Sequence, residues 1–286
     1  MIIPVRRFAA TCALGTLGIA LAACGAPGTP HTARPGHPAS ATSAAPSRPP
    51  TLAPGPSGLT PVFENGPRTP DKTVALTFDA DMTADQGPRA AAGEHFDNPQ
   101  LIATLRGFKV PATVFMTGRW ADEYPQEAKD IGQDPLFEVA NHSYSHYAFT
   151  GDCYGLPTVP EESMRSDVER AFTSIKKAGV KNVMPYFRFP GGCYDQRALR
   201  ALSPLGVTPV QWDVVSGDAF ATDVDAVARQ VLEGVRPGSV VVMHCTRSAA
   251  PTTERALRTI VPELRKQGYR FVKVSELIGA TTGGHR

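Results

Sequence analysis

Two histidines four residues apart, in His142-Ser143-Tyr144-Ser145-His146, carry the strongest chemical signal in the chain. On a helical turn such residues face the same way, and two imidazoles so placed are a common metal chelate. Ser143 stands where a zinc-protease helix needs its glutamate, so the pair is not that motif. Alone, the pair reads more simply as two polar loop histidines. Thr77-Phe78-Asp79-Ala80-Asp81 offers two carboxylates at i and i+2. In extended chain these project to one side, so one could ligate a metal while the other takes a proton from its water. A helix cap or Asx-turn around Asp81-Met82-Thr83 explains the same residues. Arg188-Phe189-Pro190-Gly191-Gly192 joins a strand-end arginine to glycines that permit close backbone approach to a ligand. Asp218 and His244, ordinary by themselves, complete the set.

These residues need a scaffold that brings them together. Short β-branched runs at 73–78, 112–116, 137–140, 186–189, 208–215, 239–243 and 270–274 predict strands. Helices are predicted between them: 101–108 after an Asn98-Pro99 start, 160–178, 224–232 and 254–266. The helix at 160–178 stripes Met164, Val168, Ala171, Phe172 and Ile175 along one face, and the last helix stripes Leu257, Ile260, Val261 and Leu264. Strand–helix alternation implies a parallel sheet in an α/β fold, as a barrel or a doubly wound layer. Asp79, Asp81, His142, Arg188, Asp218 and His244 each fall just after a predicted strand. In (β/α) barrels that face is where active sites are assembled.

Taken in order, an Asp pair after the first strand, H-[ST]-x-x-H, R-x-P, a later strand-end Asp and a hydrophobic-x-His resemble the polysaccharide deacetylase family. The family is also called NodB homology or carbohydrate esterase family 4, and the resemblance covers about 72–278. It implies a distorted (β/α) barrel in a single catalytic domain, and hydrolysis of acetyl groups on an N-acetylated polysaccharide, peptidoglycan or a chitin-like polymer. By that resemblance Asp81, His142 and His146 hold a divalent metal, Zn²⁺ first, which lowers the pKa of bound water to about 7. Asp79 is then the general base, oriented by Arg188. The oxyanion rests on the metal and the backbone N–H near Gly191. His244 is the general acid, its pKa raised by Asp218. Departures are visible: Ala80 splits an aspartate pair the family usually keeps adjacent, Gly191 replaces a common Tyr, and Ala219 replaces a Trp for which Phe220 could substitute. The alternatives left open are an O-acetyl esterase of the same fold, as on acetylated xylan, and a non-catalytic glycan-binding lipoprotein. A metal-dependent phosphohydrolase fits worse, for want of extra carboxylates.

The ends carry addresses rather than fold. Arg6-Arg7 and the apolar stretch to Ala23 have the layout of a secretory signal over 1–23. Leu21-Ala22-Ala23-Cys24 resembles a bacterial lipobox, with lipidation expected at Cys24. Residues 24–59, rich in Pro, Ala, Ser and Thr, read as a disordered tether. Its reach is roughly 35 Å as a coil and about 100 Å extended. The catalytic domain is expected over 60–286, membrane-bound only through the lipid and facing the cell wall, as a monomer. Four of the 29 basic residues and none of the 27 acidic ones precede residue 60, so the domain is slightly acidic. No basic run argues for nucleic acid. Cys153, Cys193 and Cys245 suit one disulfide and one free thiol in an oxidising compartment, with Cys153–Cys193 the expected pair.

Overall fold

The computed structural model describes residues 48–283. The expected signal, Cys24 and the tether through residue 47 lie outside the described residues. In chain order the elements are β1 (Thr73–Ala80), α1 (Gly87–Ala91), α2 (Pro99–Phe108), β2 (Ala112–Met116), α3 (Gly118–Glu123), α4 (Pro125–Gln133) and β3 (Phe137–Asn141). Then come α5 (Met164–Lys177), β4 (Val183–Phe187), α6 (Gln196–Leu202), β5 (Thr208–Pro209), β6 (Val214–Val215) and α7 (Val224–Gly234). The chain continues through β7 (Ser239–His244), α8 (Thr253–Lys266), β8 (Arg270–Phe271) and α9 (Val274–Gly283). Local chemistry sets the boundaries. Asn98 accepts a hydrogen bond from the Leu101 amide with Pro99 at the first helical position, which starts α2 where the sequence predicts.

All the strand pairs are parallel, in the order β5-β4-β3-β2-β1-β7-β6, with β8 also pairing β1. The sheet curls into an incompletely closed, distorted (β/α) barrel. The single strand predicted over 208–215 divides into β5 and β6 because it crosses from one sheet edge to the other. Within it, the Val210 amide bonds to Phe187 O and the Asp213 amide to Val240 O, so the crossing spans the gap that a regular barrel would close with a ladder. Phe63 docks on the same segment, donating to Pro209 O and accepting from the Gln211 amide.

Period-two alternation divides the core. Val74, Leu76, Phe78 and Ala80 of β1 face the helices, beside Leu101, Ile131, Val231 and Leu257. Ala75 faces the barrel interior with Phe115, Ala140, Tyr186, Val240 and Leu277. Burial on both faces explains why β1 is a near-continuous apolar run until its last polar residue. The run predicted as a strand over 270–274 stops after Phe271 and turns into α9. That helix closes the floor: the Val274 amide bonds to Thr113 Oγ1 (3.0 Å) and the Ser275 amide to Glu138 Oε1 (3.1 Å), near the N-terminal ends of β2 and β3.

The expectation of an unpacked tether through residue 59 is corrected at its end. Tyr186 donates to Pro50 O (2.9 Å), the Leu52 amide donates to Thr208 Oγ1 (3.0 Å), and Ser203 donates to Gly58 O (3.0 Å). Leu52 packs against the interior cluster. One leucine and a handful of carbonyl contacts suffice to dock a Pro-rich strap whose extended backbone costs little further entropy to order. Among the described residues no helix is long and apolar enough to cross a membrane.

Candidate active site

Register brings the chemistry to one end of the barrel. Asp79 lies opposite both Phe115 of β2 and His244 of β7, and Met116 lies opposite Asn141 of β3. The C-terminal ends of four strands therefore coincide, and the loops leaving them carry the candidate residues. Asp79 and Asp81 project to the same side, as their i, i+2 spacing requires, while Ala80 between them is buried in the helix-facing cluster. Asp81 thus brings a second carboxylate to the side that Asp79 faces. The Asp81 backbone is pinned there by a hydrogen bond from its amide to Thr246 Oγ1 (2.9 Å).

Asp81 meets both histidines. Its Oδ1 lies 3.2 Å from His142 Nε2 and 3.5 Å from His146 Nε2, and one ligand atom from each of the three residues falls within 4.8 Å of the others. The expectation that the histidine pair sits on a helical turn is corrected: it occupies an irregular loop after β3, with Ser143 (φ 67°) and His146 (φ 56°) in the left-handed region. Such backbone costs about 1–3 kcal/mol per residue and persists only when the surroundings impose it. Here Asn141 Oδ1 accepts from the Ser143 amide, Ser143 Oγ from the His146 amide, and Asp167 Oδ2 from the Tyr144 amide. The two rings end 5.0 Å apart between centroids. His142 Nδ1 is 3.0 Å from Arg188 O. A carbonyl only accepts, so Nδ1 carries the proton and Nε2 is left free for a ligand bond.

The donor set passes a direct test of fit to a metal. Asp81 Oδ1 is buried and accepts no well-formed hydrogen bond, a state that costs roughly 1–3 kcal/mol unless something else satisfies it. Its spacings of 3.2 and 3.5 Å match the edge, about 3.3 Å, of a tetrahedron with ordinary zinc–ligand distances. Two imidazoles and one carboxylate leave coordination positions open, as catalytic sites do. Burial pushes His146 down to about 4, keeping it neutral. Burial also opposes charge on Asp81, yet the neighbouring histidines hold its carboxyl well below the usual range. His142 is raised against its burial by Asp79 and Asp81, and a cation would take the place of that proton.

Two acid–base pairs flank the cluster. Asp79, 4% exposed, accepts from Arg188 Nη1 at 2.7 Å, and its Oδ2 is 3.7 Å from His142 Nε2. Arg188 is wholly buried, its guanidinium 3.9 Å from the Phe115 ring centroid and bonded to Val210 O and Gln211 O. Opposite, His244 Nδ1 is 2.8 Å from Asp218 Oδ1, with Nε2 3.8 Å from Asp81 Oδ2. Burial works against the His244 charge, but Asp218 foremost, with Asp81 and Asp79, raises it to about 10. Asp218 is held by Ser216 Oγ, Thr253 Oγ1 and the His244 amide. Sequence reading missed Thr246, Asp167, Ser216 and Thr253. None carries a motif, and the signal that could have found Ser216 is its place two residues before an aspartate that needs a local donor.

Gly191 adopts φ 64° in a short 3₁₀ turn (Pro190–Gly192), three residues past Arg188. A Cβ there would stand 2.6 Å from Cys153 Sγ. Both the left-handed backbone and the disulfide Cys153–Cys193, which forms as expected, therefore favour glycine there, while Cys245 is free and buried. Phe220 is 83% exposed with φ 57°, just beyond Asp218 and Ala219.

Residues 66–210 match the model of the family "Polysaccharide deacetylase". A peptidoglycan-N-acetylglucosamine deacetylase of Bacillus cereus is 29% identical over 73% of this chain and 89% of its own length. A chitooligosaccharide deacetylase of Azorhizobium caulinodans is 26% identical over 66% of this chain and 89% of its own. Among solved structures, a peptidoglycan N-acetylglucosamine deacetylase aligns with a TM-score of 0.64 at 25% identity, over 76% of this chain and 92% of that one. A CE4-family pseudoenzyme of Bacillus anthracis aligns with a TM-score of 0.61 at 25% identity, over 80% and 70%. The matched span includes the Asp pair, the histidine loop and the strand-end arginine, and with the barrel and the site geometry it establishes that this chain belongs to the polysaccharide deacetylase family.

Proposed function

We propose that the chain is a Zn²⁺-dependent deacetylase that hydrolyses the acetamide of an N-acetylated polysaccharide, peptidoglycan or a chitin-like GlcNAc polymer. One observation carries the reading: a carboxylate and two imidazoles converge within 4.8 Å, between an arginine-clamped carboxylate and an aspartate-held histidine. A non-catalytic glycan binder needs neither flanking pair.

Asp81, His142 and His146 would hold the metal, which supplies Lewis acidity and a lowered water pKa when bound. Asp79 accepts the proton of the attacking water, and the hydrogen bond from Arg188 Nη1 keeps the carboxylate aimed. His244 gives the proton from Nε2 to the leaving nitrogen, while its Nδ1–H stays on Asp218. The Gly191 amide is assigned to the developing oxyanion, and Phe220 to one wall of the substrate groove. The names of the relatives support N-acetyl over O-acetyl substrates.

The address is proposed from the sequence alone. Signal residues 1–23 and lipidation at Cys24 would make the protein a membrane-held, extracytoplasmic monomer facing the wall. Its measure is fractionation: Cys24→Ser should leave the membrane fraction, and equal retention of both forms would argue against lipidation. The catalytic reading is tested by metal content together with acetate release from GlcNAc oligomers and from acetylated xylan. Stoichiometric zinc with release from the first supports it. Release from xylan alone would identify an O-acetyl esterase, and oligomer binding without any release would leave a glycan-binding protein.

A further inference from the structure

The loop between the histidine motif and α5 contains a residue that breaks local rules without any structural return. The Leu156 amide bonds to Cys153 O (2.9 Å), closing a tight turn whose central residues, Tyr154 and Gly155, have φ of 52° and 73°. Positive φ at both centres favours Asn, Asp or Gly at the first, because a bulky side chain there clashes with its own backbone. A tyrosine in this position is an outlier. Burial does not compensate it, for Tyr154 is 88% exposed, the most exposed large hydrophobic residue among those described. By contrast, Tyr194, which follows the other bridging cysteine, stacks on Phe189 at 5.3 Å and has a packing role.

The turn's position gives the ring a use. Cys153, its first residue, is tied to Cys193 and so to the loop that follows Arg188. The Cδ2 edge of Tyr154 lies 3.4 Å from where a Cβ would stand on Gly191. Gly191 lies three positions past Arg188, so their Cα atoms are within about 11 Å. The ring is therefore exposed to solvent on a turn that a covalent bridge holds against the loop following Arg188. In the deacetylase reading the Gly191 amide meets the oxyanion, so a ring packed beside Gly191 can meet a sugar neighbouring the one whose acetyl group lies between Asp79 and His244. Pyranose rings present apolar C–H faces with slight positive character, complementary to the negative face of an aromatic ring.

From this placement we propose that Tyr154 is a stacking platform for a sugar neighbouring the one that is deacetylated, making it a determinant of preference for polymeric over single-sugar substrates. The proposal rests on the deacetylase reading but is read out separately, by binding. The full chain and its Tyr154→Asn, Tyr154→Phe and Tyr154→Trp variants are titrated with short GlcNAc oligomers, and acetate release is measured on the same oligomers and on a single N-acetylated sugar. Tyr154→Asn should weaken oligomer binding and raise KM by about 3- to 10-fold, with kcat unchanged and no change on the single sugar. The aromatic variants should keep the oligomer affinity of the wild type. Because Asn suits the turn, Tyr154→Asn should also unfold at an equal or higher urea concentration, which a merely structural tyrosine would not allow. Wild-type affinity in Tyr154→Asn, or equal loss in the Phe and Trp variants, would overturn the platform. Oligomer binding without acetate release would sink the deacetylase reading and leave the platform standing. If the wild type binds no oligomer, the platform falls.

Discussion

Asp79 and Asp81 differ in what surrounds them, so their substitutions should fail differently. Asp79 is gripped by Arg188 and stands off His142, whereas Asp81 turns an unsatisfied oxygen toward both imidazoles. Asp79→Asn should retain zinc and lose activity by about 10²–10⁴-fold. Asp81→Asn should lose zinc first, with activity partly recovered in excess metal. Metal content and acetate release of each variant check this, and wild-type zinc in Asp81→Asn would sink the ligand assignment. The His244 pair has a pH signature. In the proposed role its imidazole acts in the protonated form, and Asp218 raises the pKa at which that proton is lost. Asp218→Asn lowers that pKa toward the ordinary value of about 6.5, so the alkaline limb of the pH–rate profile should move to lower pH. An unmoved limb would mean that another group donates the proton. All seven of these residues were legible in the sequence by type, and all but His146 by strand-end position. Their anchors were not, because Thr246, Asp167 and Thr253 come from elements remote in the chain and act through single hydrogen bonds.

At the level of elements, the histidine loop was the least legible piece. Four-residue spacing suggests a helical turn, but the loop starts at Asn141, whose side chain captures the Ser143 amide and diverts the backbone into the left-handed region. What holds that path is a residue outside it: Asp167, in the first turn of α5, accepts from the Tyr144 and Ser145 amides (2.8 and 3.5 Å). If the proposed site holds zinc, Asp167→Ala should weaken its binding by about 10–100-fold although Asp167 bonds to none of Asp81, His142 and His146. Competition with a chelator measures it, and unchanged affinity would show that the loop is rigid without its cap. The strands, in contrast, mostly followed from apolar runs buried on both faces, and the largest misreading was the crossing at 208–215. Its β-branched composition is that of a strand, while its two ends pair with different edges, a long-range fact invisible to local pattern.

For the whole molecule, alternation was enough to reach a parallel α/β sheet and the strand-end positions to place the chemistry at one face, while the choice of a barrel came from the family resemblance. The docked strap at 50–59 was not legible, because its composition is that of a linker and its contacts are with Tyr186, Ser203 and Thr208, more than a hundred residues away. The disulfide joins two loops of the active face across forty residues of sequence, and it also restricts which sequences this chain can move to. Gly191 and Cys153 Sγ compete for one volume, so a side chain at 191 and the bridge are alternatives. Gly191→Ala should therefore cost more in the bridged protein than in the Cys153→Ala/Cys193→Ala background, with a coupling of about 1–3 kcal/mol in urea unfolding. Equal costs in the two backgrounds would show no coupling. Mutational history then has a direction: a lineage that carries a bulky residue at this position must acquire glycine before it can close the bridge, and one that has closed it must open it before a side chain can return.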